Sequence, residues 1–304
     1  MSFTFIDLFA GIGGIRLPFD ELGGKCVFSS EIDKFAKQTY EANYGEKPCG
    51  DITEIDPAFI PPFDLLLAGF PCQPFSQAGL QKGFQDTRGT LFFYIANIIK
   101  HHQPKVVLLE NVKRLKSHDK GKTFNVMKSA LEELGYHVFY NILAAKDFGA
   151  PQNRERIYII ALRDENHFEF PTPTYQETRV GDILESKVDA KYTISDKLWE
   201  GHQRRKAEHI NKGNGFGYSL FNHDSAYTNT ISARYYKDGS EILIDQGEHK
   251  NPRKITPREA ARLQGFPESY KIVVSDVQAY KQFGNSVCVP VIRAISKQLA
   301  PYLG

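Results

Sequence analysis

Short apolar runs rich in β-branched and aromatic residues recur through the first ~165 residues, at the length of buried strands. They are FTFIDLFA, KCVFSSEI, FDLLLAGF, KVVLLENV, HVFYNIL and RIYIIAL. Between them, IRLPFDELG, KFAKQTYEANYG, GTLFFYIANIIKHH and GKTFNVMKSALEELG have the character of helices. Both ELG sequences precede a strand candidate, as when a helix stops near a C-terminal glycine. This alternation predicts an α/β fold with a parallel, doubly wound sheet.

The texture changes after Arg163. From about residue 168 to 275 the chain is polar and irregular, with aromatics scattered through short strand candidates such as YTNTISARYY and SEILIDQ. A second module of weak helical content is expected there. A helical pattern returns in VPVIRAISKQLAPYL. The predicted organisation is a large α/β domain over 1–168, a small mixed domain over 169–275, and a segment over 276–304 that returns to the first. There is no internal repeat and no low-complexity tract.

Composition narrows the function classes. Hydrophobic residues make up 41% and charged residues 24% of the 304 positions, ordinary values for a globular chain. No apolar run approaches the roughly 20 residues that cross a bilayer. MSFTFIDLF has no charged leader or cleavage site, so a cytoplasmic protein is expected. The four cysteines, Cys26, Cys49, Cys72 and Cys288, form no CxxC pair, which argues against a disulfide framework or a metal site. A net charge of +2 does not announce a nucleic-acid binder. The basic clusters HQRRKAEH (202–209) and HKNPRKITPR (249–258) are either solvated faces or polyanion surfaces.

Three places carry candidate chemistry. DLFAGIGGI (7–15) lies between a strand and a helix candidate, the context in which a glycine-rich turn approaches a ligand. Glu31 closes the next strand candidate, where an acid can bind ribose hydroxyls, and Asp51 closes a third segment. Gly11, Gly13 and Gly14 give GxGG rather than the dinucleotide spacing, so a mononucleoside ligand fits better than a nicotinamide cofactor; a tight turn without ligand is the plain alternative. GFPCQPFSQAG (69–79) follows an apolar strand, and Pro71 and Pro74 stiffen the loop around Cys72. A lone cysteine is more often a small buried hydrophobe. Glu110 ends the strand KVVLLE, either capping the next helix or pairing with the thiol in covalent catalysis. In QNRERIYIIAL, Arg154 and Arg156 alternate with Glu155, so both guanidinium groups are expected on one side, as a grip on an anion or ring or as surface ion pairs.

In order along the chain stand FIDLFAGIGG, SSEIDKFA, GDITEID, GFPCQPFSQAG, GTLFFYI, LLENVKRL, QNRERIYIIA, ITPREAARLQGFP and YKQFGNSVCVPVI. With these motifs the sequence resembles the cytosine-5 DNA methyltransferases of the compact prokaryotic restriction–modification type. PCQ, ENV and QNRER together are highly specific; only about 170–250 lacks family-wide patterns. The resemblance implies a Rossmann-like methyltransferase sheet with a smaller, mostly irregular or β target-recognition domain. It implies transfer of a methyl group from S-adenosylmethionine to carbon 5 of a flipped-out cytosine in duplex DNA, with no metal.

Residue by residue, it implies Cys72 as nucleophile and Glu110 on the cytosine ring nitrogen and amine. Arg154 and Arg156 complete the catalytic set, with Arg156 facing the base and the cysteine loop. Phe9, Gly11, Gly13 and Gly14 would line the cofactor pocket, Glu31 would hold the ribose, Asp51 the adenine amine, and Asn285 the cofactor side from the C-terminal segment. Gln73, Ser76, Asn214, Thr230 and Arg234 are the DNA-contact candidates: Asn214 fills the gap left by the base, Thr230 touches phosphate, and Arg234 with Tyr235 and Tyr236 reads base edges or backbone. The implied partners are a short specific site in double-stranded DNA and a separate cognate endonuclease, with the enzyme a cytoplasmic monomer. Rival readings are a transfer-RNA cytosine-5 methyltransferase and a non-catalytic DNA-binding regulator, the latter lacking its usual N-terminal module here.

Overall fold

All six apolar runs of the N-terminal half are strands in the computed structural model, which describes residues 2–71, 90–215 and 217–304. They are β1 (Thr4–Leu8), β2 (Lys25–Ser30), β3 (Leu65–Gly69), β4 (Val106–Val112), β5 (His137–Ala144) and β6 (Glu155–Leu162). Helices α1 (Arg16–Glu21), α2 (Lys34–Tyr44), α3 (Leu91–His102) and α4 (Lys122–Glu133) alternate with the first five. The sheet order is β2-β1-β3-β4-β6-β5.

The expectation of an all-parallel sheet holds for β1 to β5 and fails at β6, which runs antiparallel to both β4 and β5. Adjacent parallel strands need a crossover of a dozen or more residues, usually a helix. The short segment 145–154 between β5 and β6 provides neither, so β6 returns in the opposite sense.

The centre of the sheet is dry. Leu65 to Ala68 of β3 and Val106 to Leu109 of β4 are wholly buried, as strands covered on both faces must be. Phe92, Ile95, Ile99, Phe124, Met127 and Leu131, from α3 and α4, pack into the same core. Because the apolar centre fixes strand register, the polar residues that close each strand are placed as rigidly as the core itself.

The chain divides into two compact units. The first comprises Met1–Ala144, Glu155–Thr172 and Val291–Gly304, and so contains the whole six-stranded sheet. The last of these segments carries most of α8 (Val289–Leu299), whose Ile292, Ile295 and Leu299 are buried. Arg293 on α8 forks onto Glu21 at 2.7 and 2.8 Å.

The second unit comprises Ala145–Arg154 and Pro173–Pro290. It holds α5 (Asp196–Asn211), a small sheet of β7 (Leu220–Phe221), β8 (Leu243–Ile244) and β9 (Arg253–Lys254), then α6 (Pro257–Leu263) and α7 (Asp276–Asn285). The expected weak helical content is corrected here. At 16 residues α5 is the longest helix among the described residues. Its sequence DKLWEGHQRRKAEHIN buries only His202, so it carries almost no apolar stripe for a pattern reading to find. The strand expected over YTNTISARYY is absent: only Thr228 forms an isolated bridge, with Gln152. The chain instead turns around Tyr235, which is fully buried and therefore not the base-edge reader its position suggested. The Tyr235 hydroxyl donates to the Ile242 carbonyl at 2.6 Å and accepts the Ile255 N–H at 2.9 Å.

The two basic clusters also part company. HQRRKAEH lies on α5, with Arg204 and Arg205 exposed. In HKNPRKITPR, Arg253 is buried against Glu259 and belongs to the interior.

Candidate active site

Chemistry in an open α/β sheet concentrates where strands end, because side chains there are held by the core yet face out of it. In the first unit, the carboxyl ends of β1 to β3 lead into the glycine turn, Glu31 and Phe70–Pro71, and Glu110 lies near the carboxyl end of β4.

After β1 the chain enters a left-handed stretch: Phe9 has φ 53°, Gly11 φ 54° and Gly13 φ 77°. A phenylalanine at positive φ is strained, and such strain concentrates at functional turns. The turn is clamped to β2 by the Ala10 N–H, which donates to the Ser30 carbonyl at 2.9 Å. Glu31 comes immediately after β2. Its Oε2 accepts the Gly11 N–H at 2.7 Å, and its Oε1 accepts the N–H groups of Ile32 and Asp33, both at 2.8 Å. Three donors fix the carboxylate and leave lone-pair capacity on Oε2 for a further hydroxyl. Asp33 in turn caps α2, accepting from the Phe35 and Ala36 N–H groups.

The segment leading to Asp51 is joined to the same rim: the Cys49 N–H donates to the Ser29 carbonyl at 2.8 Å, and the Cys49 carbonyl accepts the Glu31 N–H at 3.0 Å. Asp51 then caps a short 3-10 turn by accepting the Thr53 N–H at 2.9 Å. Ile32, the residue after Glu31, is 72% exposed. An isoleucine held open beside a fixed carboxylate offers an apolar face to a planar ligand. Sequence reasoning misses it, because nothing in its immediate pattern separates it from an ordinary surface residue.

On the other side, Gly69 of β3 pairs in register with Glu110 of β4. Asn111, buried, donates from Nδ2 to the Phe70 carbonyl at 2.9 Å, tying β4 to the residue that leads into Pro71. In the sequence Asn111 is only the middle letter of a motif; its tether across two strands is set by register, which spacing does not display. Cys72, Gln73 and Ser76 lie outside the described residues.

Arg156 on β6 pairs with Val112, two residues along β4 from Glu110, so the two side chains are diagonal neighbours on one face. Arg156 Nε lies 3.3 Å from Glu110 Oε1, and both side chains are largely buried.

Arg154 does something different. It precedes β6 in a tight turn, its N–H bonded to the Gln152 carbonyl at 3.0 Å, so the alternation that would align it with Arg156 is broken. Its guanidinium is buried and donates to three main-chain carbonyls: Ile231 and Gly284 at 3.1 Å and Ser286 at 2.5 Å. The two arginines thus engage different parts of the chain. Asn285, between two of those carbonyls, is exposed at the end of α7. Gly284 packs so closely on the backbone of Ser232 and Ala233 that a Cβ there would overlap it.

Among the other candidates of the second unit, Thr230 is half-buried and its hydroxyl donates to the Asn153 carbonyl at 2.7 Å. Arg234 is exposed on the next turn, its N–H donating to Ser232 Oγ at 3.2 Å. Asn214 is exposed just beyond α5, its N–H held by the His209 carbonyl at 2.8 Å. Among the described residues no cluster of His, Cys, Asp and Glu suits a metal ion, and no helix is long and apolar enough to cross a membrane.

The six-stranded sheet with one reversed strand is a methyltransferase fold. It superposes with TM-score 0.80 on the crystal structure of S. pombe Dnmt2 methyltransferase, covering 99% of each chain at 23% identity. The chain belongs to the C-5 cytosine-specific DNA methylase family, whose model matches residues 3–300. It is 66% identical over 301 residues to Type II methyltransferase M.NlaX of Neisseria lactamica, spanning 98% of this chain and 96% of the relative. To Type II methyltransferase M.SsoII of Shigella sonnei it is 65% identical over 303 residues, spanning 98% and 80%. It is a DNA cytosine-5 methyltransferase of the restriction–modification type.

Proposed function

We propose that the protein transfers a methyl group from S-adenosylmethionine to carbon 5 of a cytosine swung out of duplex DNA, with Cys72 as nucleophile. The observation that carries the reading is the junction of β3 and β4. Glu110 stands in register with Gly69, Asn111 clasps Phe70, and Pro71–Cys72 comes directly after, so the thiol's loop departs beside a carboxylate already paired with Arg156.

The rim around β1 and β2 fits the methyl donor. Glu31, with spare capacity on Oε2, suits ribose hydroxyls; Ile32 supplies an apolar face for adenine; Asp51 suits its amine; and the turn at Phe9, Gly11, Gly13 and Gly14 allows close backbone approach. When bound, S-adenosylmethionine supplies an electrophilic methyl group. Asn285 is assigned to the same cofactor.

Extruding the base costs a few kcal/mol of pairing and stacking. Cys72, as thiolate, adds to carbon 6 of the ring, which makes carbon 5 nucleophilic. Glu110 holds the proton at the ring nitrogen through this step, and Arg156 keeps the carboxylate oriented and balances charge. After methylation the carbon-5 proton leaves, the carbon–sulfur bond breaks, and the thiolate is restored. Arg154 serves as an anchor for the main chain at 231 and 284–286. The second unit reads the site through Asn214, Thr230 and Arg234, with Gln73 and Ser76 contacting DNA from the cysteine loop. The enzyme is assigned to the cytoplasm as a monomer, protecting a short site from a cognate endonuclease.

Duplex DNA carrying 5-fluorocytosine at the target blocks loss of the carbon-5 substituent and therefore traps the covalent step. With S-adenosylmethionine present, the protein becomes irreversibly attached to this DNA through residue 72, and Cys72→Ser does not. A folded enzyme that methylates ordinary DNA yet forms no adduct overturns the mechanism.

A further inference from the structure

Helix α2 touches the glycine turn from both ends. At its N-terminal side, Glu31 takes the Gly11 N–H and Asp33 caps the helix. At its last residue, the Tyr44 hydroxyl donates to the Gly13 carbonyl at 2.7 Å. The Tyr44 ring fills the space a Cβ at position 13 would need, so glycine there satisfies both φ 77° and a close neighbour.

The ring is itself held. Arg16, from the helix that the turn opens, places its guanidinium 4.3 Å from the Tyr44 ring centroid. Arg16 is fixed by Asp20 at 2.7 Å, by the Tyr40 hydroxyl at 2.9 Å and by Glu46. Tyr40 packs its ring 4.7 Å from that of Tyr44. One largely buried polar cluster thus sets the back of the turn whose front faces the nucleoside rim.

We propose that Tyr44 is a positioning residue for the methyl donor: it holds Gly13 from behind, and with Glu31 it makes α2 a two-point brace for the turn. The inference rests on the reading of this rim as the S-adenosylmethionine site. Tyr44 itself touches no reacting atom.

Isothermal titration with S-adenosylmethionine, alongside gel-shift titration of target DNA, tests it. Tyr44→Phe keeps the ring and removes the hydrogen bond to the Gly13 carbonyl, so its Kd for the donor rises about three- to tenfold. KM for the donor rises with it, kcat falls by a smaller factor, and DNA affinity stays at the parent value. Tyr44→Leu, which also loses the ring beneath Arg16, weakens donor binding further.

Donor affinity unchanged in Tyr44→Phe, with the parent protein binding normally, overturns the brace and leaves the site assignment standing. A parent protein that is folded yet gives no heat with S-adenosylmethionine overturns the site assignment instead. If Tyr44→Phe loses donor and DNA affinity together, the role is general stability and the proposal also fails.

Discussion

Glu259 is a severe test of how the second unit is held together. It is wholly buried, and its two oxygens accept four bonds: from Arg253 Nη1 at 2.7 Å and Nη2 at 2.8 Å, and from the Thr256 and Glu185 N–H groups at 2.8 Å each. The last two donors are the N-cap of α6 and a residue 74 positions earlier, so the carboxylate joins distant chain segments. Glu259→Ala leaves the Arg253 guanidinium, only 8% exposed, without its countercharge. Breaking a buried pair from one side costs about 3–5 kcal/mol. At about 3–5 °C per kcal/mol, between the values for smaller and larger domains, the second unit melts roughly 9–25 °C lower. Differential scanning calorimetry reads this directly. The double variant Arg253→Met, Glu259→Leu removes both charges and recovers part of the loss, since well-packed apolar replacements of buried pairs are often neutral. A fall of under about 2 °C in Glu259→Ala would refute the reasoning, because it would mean that water or another charge already compensates Arg253.

Two further expectations concern the first unit. Asp7 is buried on β1, and desolvation raises its pKa well above the usual carboxylate range, against the opposing pull of Arg16. A folded-state pKa raised above the unfolded one gives stability that is complete below the unfolded pKa and is lost as pH rises through the folded value. Asp7→Asn, which mimics the neutral form, should therefore melt above the parent at pH 8, with the gap closing toward pH 4; a pH-independent gap sinks this account. Asn111→Ala removes the bond to the Phe70 carbonyl. A misplacement of about 1 Å in a reacting group costs about 10²-fold, so methyl transfer measured with labelled donor should fall by about that factor while donor affinity is retained; unchanged turnover would show that the cysteine loop is held elsewhere.

The sheet and its helices were legible because burial on both faces writes continuous apolar runs into β1, β3 and β4, and because helices between strands keep their own period. Direction is absent from such runs, and the reversal of β6 depends on the missing crossover at 145–154. The second unit was less legible for a related reason. Its turns and chain crossings are fixed by particular polar bonds, such as those of Tyr235 and Glu259, which no periodicity announces. Helix α5 buries a single histidine and so leaves no periodic trace. The residues Glu110, Glu31 and Arg156 were legible as candidates because they close or flank strands. Asn111, Ile32 and Tyr44 were not, since each acts through a neighbour fixed by register or by helix length.

The stretch QNRER shows why adjacency in sequence is a poor guide to shared purpose. Arg154 and Arg156 are separated by one residue, yet the boundary between the two compact units falls between Arg154 and Glu155. Arg154 donates to main-chain carbonyls at 231, 284 and 286, and a guanidinium so used sets backbone positions that a lysine, with fewer and less planar donors, reproduces badly. Arg156 instead sits on β6 and meets a carboxylate. Damage at 154 should therefore spread through the 230–286 segments, whereas damage at 156 stays at Glu110. The motif divides its contacts: one arginine bonds the main chain of the second unit, and the next pairs with Glu110 of β4.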